Sequence, residues 1–118
     1  MRKVGLLGGM SWESTAEYYR LINELVRDEL GGAHSAELVL ASVDFATFEP
    51  LLAARRWDQV AEFLIEAART VERAGAEAVV ICTNTGHIVA DAVAQAVEIP
   101  VLHIVDVVAE AIRAAGLS

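Results

Sequence analysis

Apolar and polar positions alternate in blocks along this chain, and the blocks change period in a regular order. Lys3-Val4-Gly5-Leu6-Leu7 is a short apolar run closed by Gly8 and Gly9, which reads as a strand entering a tight loop. Tyr18, Ile22, Leu25 and Val26 then recur at helical spacing to Leu30. Ser14 and Glu17 have the spacing of a capping box, and Gly31 and Gly32 end the helix. Leu38-Val39-Leu40-Ala41-Ser42-Val43 returns to strand character, and residues 44–50 read as a loop because Pro50 disfavours continued helix. Over residues 57–74 the stripe Val60, Phe63, Leu64, Ala67 and Val71 predicts a second amphipathic helix, with Gly75 placed for a left-handed C-cap. Ala78-Val79-Val80-Ile81 is a third strand, residues 86–97 a further helix, and Val101-Leu102-His103-Ile104-Val105 after Pro100 a fourth strand. Asp106 caps a last helix ending near Gly116. Strand and helix alternate four times with short connections. That pattern predicts an α/β fold: a four-stranded parallel sheet with helices on both faces, joined by right-handed crossovers.

A length of 118 residues suits one domain with a real core, 1–118. The hydrophobic fraction of 55% is high, yet no run approaches the ~18 apolar residues of a membrane span. The amino terminus has no signal-peptide pattern, so a soluble, cytoplasmic protein is expected. A net charge of −8 with scattered Lys and Arg argues against nucleic-acid or anionic-membrane partners, and any acidic ligand must be held by local groups. The one cysteine, Cys82, cannot form an intramolecular disulfide, and a reduced thiol is expected. His34, His87 and His103 fall in separate elements without ligand spacing, so no metal site is expected.

Two places carry candidate chemistry. Gly5, Gly8 and Gly9 lack the G-x-G-x-x-G spacing, and no Gly-Lys-Ser or Gly-Lys-Thr follows, which excludes the common dinucleotide and P-loop fingerprints. The loop instead feeds the start of a helix, where free N–H groups and the helix dipole favour a carboxylate, with Met10 and Ser11 in the loop. The competing reading is glycines that serve only a tight turn. Cys82 stands where the third strand breaks into Thr83-Asn84-Thr85, at the strand end where open α/β sheets form their ligand crevice. A nearby helix start would lower the thiol pKa and make Cys82 a base or nucleophile while Thr83, Asn84 and Thr85 hold a carboxylate. Equally, Cys82 reads as a small buried hydrophobe and the three polar residues as helix caps. His87 is placed to pair with the thiol or to lie in solvent, and His103 to floor the crevice or to sit satisfied in the core. Tyr18, Tyr19, Trp12 and Trp57 read as packing.

Gly5-Leu-Leu-Gly-Gly-Met-Ser-Trp-Glu-Ser-Thr15, Tyr18-Tyr19, Leu21-Ile22-Asn23, Ser42-Val43-Asp44-Phe45, Cys82-Thr83-Asn84-Thr85 and His103-Ile104 together resemble the aspartate/glutamate racemase family. The resemblance implies a cofactor-independent amino-acid racemase of aspartate or glutamate, built from two similar α/β domains that each contribute one cysteine to a shared cleft. One thiolate removes the α-proton and the opposing thiol reprotonates the other face, as inversion through a planar intermediate requires. It further implies that Cys82 is one of the two acid/base thiols and that Met10, Ser11, Thr83, Asn84 and Thr85 surround the substrate. The chain departs from the family pattern at Gly86, where methionine is usual, and near Leu52, where a polar or basic contact is common.

Family members are about twice as long. This chain therefore resembles the amino-terminal half, with the second domain and second cysteine absent from it. Either a carboxy-terminal domain completes the site, or two copies pair about a two-fold axis with one Cys82 on each side of a shared cleft. The alternative class is a non-catalytic small-acid-binding or interaction module. Receiver domains share the general architecture, but Gly8-Gly9-Met10 stands where their acidic cluster belongs.

Overall fold

Strand β1 (Val4–Gly8) is buried along its whole length and forms the axis of the sheet. It pairs in parallel with β2 (Leu38–Ser42) on one side and with β3 (Ala78–Ile81) on the other, and β3 pairs with β4 (Val101–Leu102). The order is β2-β1-β3-β4. The computed structural model describes residues 3–82 and 89–102.

Strand side chains alternate between the two faces. Val4, Leu6 and Val80 pack with Ile22 and Tyr18 of α1 (Trp12–Leu30). Leu7 and Val79 pack with Val60, Leu64, Ala68 and Val71 of α3 (Trp57–Arg73) and with Val93 of α4 (Ala90–Ala96). This division follows from handedness. The chain steps from β1 to β2 in one direction and from β2 to β3 and β4 in the other, so right-handed crossovers place α1 on one face and α3 and α4 on the opposite face. Burial of this apolar surface, at about 25 cal/mol per Å², is the main force holding the layers together. Gly5 lets α3 come close: a Cβ there would lie 2.6 Å from Cγ2 of Val71.

Helix α3 ends as its sequence predicts. Gly75 takes φ +97°, its N–H donates to the Glu72 carbonyl, and the Ala76 N–H donates to the Val71 carbonyl, which is the Schellman arrangement. No helix among the described residues is long and apolar enough to cross a membrane.

Three expectations are corrected. Residues 44–50 are not a loop: α2 (Phe45–Ala53) forms there with Pro50 inside it. Asp44 caps that helix by accepting from the Ala46 N–H at 3.0 Å, and Phe48 is buried against Phe63 with ring centroids 5.7 Å apart, so capping and tertiary anchoring outweigh the N–H that Pro50 lacks. The Ser14–Glu17 capping box does not form, because α1 starts earlier, at Trp12, after an extended Ser11. Ser14 instead meets the Ser11 hydroxyl at 3.2 Å, and Glu17 pairs with Arg20. Trp12 and Tyr19 do not pack inside: Trp12 is 69% exposed and Tyr19 lies on the outer flank of α1, whereas Tyr18 and Trp57 do pack against the core. The helix before Pro100 is described only from Ala90. The expected helix start at Gly86, residues 103–105 of the fourth strand and the last helix lie outside the described residues.

Candidate active site

The two directions of winding part between β1 and β3, and this switch point is where an open α/β sheet leaves a crevice at its carboxyl edge. Both candidate loops lie there. Cys82 directly follows β3, and its N–H donates to the Leu7 carbonyl at 2.9 Å, extending the ladder by one residue. Since Leu7 is level with Ile81, Gly8 stands beside Cys82. Gly8-Gly9-Met10-Ser11 leaves β1 at this point. The structure thus brings Cys82, Met10 and Ser11 to adjacent strand ends. Thr83, Asn84, Thr85 and His87 fall outside the described residues, as does His103.

Cys82 continues the alternation begun at Leu6 and Val80, so its side chain joins the apolar cluster beneath α1. It is 1% exposed. Burial pushes the thiol up to about 12, because the thiolate would lose its hydration among Leu6, Ile22 and Val80. This is the opposite direction from the lowering expected at a helix start, and desolvation is the reason. The thiol is protonated at neutral pH.

Across the crevice, Met10 is buried in the α3-side core and Ser11 sits half-buried at the head of α1. The Ser11 hydroxyl turns to Glu13 and Ser14 rather than to the first-turn N–H groups, so no side chain caps α1. Uncapped N–H groups at the head of a 19-residue helix favour an anion. The role of Thr15 is not legible from local sequence: its hydroxyl is buried in the turn itself, accepting from the Gly9 N–H at 3.0 Å and donating to the Ser11 carbonyl at 3.1 Å. Only the spacing Gly9 to Thr15 hinted at it, and that spacing has no general meaning.

Other candidates disperse. Asp44 is occupied as the α2 cap. His34 lines a shallow hollow with Tyr19, Asn23 and Arg27 on the flank of α1. Among the described residues, no group of three His, Cys, Asp or Glu side chains is arranged to hold a metal ion. Arg55, Arg56 and Trp57 edge a second hollow at the turn into α3, a place the sequence pattern did not single out.

These features define an open, doubly wound α/β domain in which a buried cysteine and a glycine turn stand at adjacent strand ends, at the β1/β3 switch point. The sequence model of the Asp/Glu/hydantoin racemase family matches residues 7–118, and the chain belongs to that family. Among solved structures, an Asp/Glu racemase, provisionally so called, from Yersinia pestis is 50% identical with a TM-score of 0.87. An aspartate racemase homologue from Pyrococcus horikoshii is 37% identical with a TM-score of 0.81. Each match covers 98% of this chain and 50% of the other, so the chain spans half the length of these relatives.

Proposed function

We propose that this chain is one of the two similar halves of a cofactor-independent racemase of aspartate or glutamate, with Cys82 as one of its two acid/base thiols and Met10, Ser11, Thr83, Asn84 and Thr85 around the substrate. The observation that carries the reading is Cys82 at the β1/β3 switch point, level with the glycine turn, in a chain of this family. The substrate's carboxylates would meet N–H groups at the loop ends. In one direction Cys82 delivers a proton to the α-carbon while a thiolate on the far side removes the other; in the reverse direction the roles exchange. Burial keeps the thiol protonated, the state from which delivery starts. Removal requires that bound substrate and the opposing half replace the lost hydration of the thiolate with donors. The opposing thiol comes from a carboxy-terminal domain or from a second copy.

Burial of the thiol also supports a second reading, a non-catalytic module that binds small acids. One experiment separates them. The chain is incubated with L-aspartate in D2O, with a Cys82→Ser control, and loss of the α-proton is followed by NMR. Cys82-dependent exchange with formation of D-aspartate is expected if the chain assembles a complete site, and exchange without inversion if one base works alone. Saturable aspartate binding with no exchange at any chain concentration would favour the binding module.

A further inference from the structure

We propose that Thr15 is the positioning residue of the substrate-facing turn, setting affinity for the amino-acid substrate through a hydroxyl that itself touches no substrate; this rests on the racemase reading above. Thr15 is 5% exposed and is the buried polar side chain of the described core. Its hydroxyl accepts from the Gly9 N–H at 3.0 Å and donates to the Ser11 carbonyl at 3.1 Å, so one oxygen ties both ends of Gly9-Met10-Ser11. Its methyl group fills the space above Gly8, where an added Cβ would lie 2.5 Å from Cγ2 of Thr15.

The other side of the turn is closed by the end of β2. The Val43 N–H donates to the Gly8 carbonyl at 2.8 Å, and a Cβ on Gly9 would meet the Val43 carbonyl oxygen at 2.2 Å. Gly9 also holds φ +88°, which side chains rarely adopt. The turn is therefore clamped between Thr15 and Val43 with no slack for an added atom. Within it, the N–H groups of Met10 and Ser11 have no acceptor among the described residues, and they are the groups that a substrate carboxylate would take. A threonine serves here because hydroxyl and methyl are both used; valine keeps the shape but leaves the Gly9 N–H buried and unpaired.

The test compares the full chain with Thr15→Val, Thr15→Ser and, as a control, Thr70→Val, whose hydroxyl donates to the Glu66 carbonyl on the exposed face of α3. L-Aspartate binding is read from amide shifts in 15N NMR, and hydrogen exchange of the Gly9 amide from the same spectra. Thr15→Val is expected to weaken aspartate binding about tenfold and to lose the protection of Gly9, with Thr15→Ser restoring both to within about twofold and Thr70→Val unchanged. Wild-type affinity in a folded Thr15→Val chain would overturn the proposal, as would Thr15→Ser falling as far as Thr15→Val. Should Thr15→Val not fold, Gly8→Ala displaces the same side chain with its hydroxyl intact, and unchanged affinity there would equally overturn it. If the wild type answers neither aspartate nor glutamate, the racemase reading falls and takes the affinity claim with it. Gly9 protection then decides separately whether Thr15 holds the turn.

Discussion

Among the described residues nothing beside the Cys82 thiol favours its ionisation, and burial opposes it, which shows in its chemistry. A pKa near 12 rather than 9.0 leaves about a thousandfold less thiolate at neutral pH. Alkylation by iodoacetamide should be slower by about that factor than in urea, where burial is lost, and should rise about tenfold per pH unit toward 12. Rapid labelling of the folded chain at pH 7.5 would show that the thiol is not held this way. The same shift has a stability consequence with a definite sign. Because the folded state raises the pKa, the contribution is fully present below pH 9.0, where both states are protonated, and is lost as pH rises toward 12, where only the unfolded chain has ionised. Cys82→Ala should therefore fall less steeply than wild type in urea midpoint between pH 9 and 11. At Arg55 the backbone is at φ +54°, while its N–H and that of Arg56 close the end of α2 on the Leu52 and Leu51 carbonyls. Arg55→Gly should raise stability by about 0.5 kcal/mol, the relief of the left-handed strain less the added freedom of the unfolded chain, as read from thermal unfolding.

At the scale of elements, the fold depends on how closely α3 approaches the sheet and on how its end is tied down. Gly5→Ala should cost about 2–3 kcal/mol in urea unfolding, since the new methyl group would overlap Val71, a β-branched side chain fixed in the core. Glu72 accepts from the Glu98 N–H at 2.8 Å and the Ile99 N–H at 3.3 Å, joining the last turn of α3 to the segment that leads into β4. Glu72→Ala should cost about 1–2 kcal/mol and reduce amide protection at Ile99 before it affects β1. By contrast, the pairs of Arg20 with Glu17 and Glu24 lie exposed on α1, and removing them should change stability by less than about 0.5 kcal/mol.

For the molecule as a whole, the decisive property is that a two-thiol reaction is proposed for a chain with one cysteine. If two copies supply the two thiols, exchange with inversion should rise per chain with protein concentration and level off where sedimentation velocity reports a dimer. Exchange without inversion at every concentration, with no dimer, would leave the missing thiol to a carboxy-terminal domain. The winding of the sheet suits either completion, because a switch point such as that between β1 and β3 is where an open α/β sheet leaves its ligand crevice.

Much of this was determined by the chain pattern alone: the period-2 and period-3.6 blocks placed β1, β2, α3 and β3, Gly75 marked its C-cap, and the family's residues stood in order from Gly5 to Cys82. Such features are legible because they depend on neighbours a few positions away. What lay beyond reach depended on partners distant in the chain. Helix α2 exists because Phe48 finds Phe63, against the local signal of Pro50. Trp12 and Tyr19 face outward because the core stripe of α1 runs through Thr15, Ile22 and Val26. The pairing of Thr15 with Gly9, and of Gly9 with Val43, required the turn to be folded between two elements. Cysteine at a strand end was visible as a position, but its thiol pKa was set by the face onto which the sheet's alternation turned it. Local sequence carries periodicity; burial, and with it charge state, is decided only when the layers close.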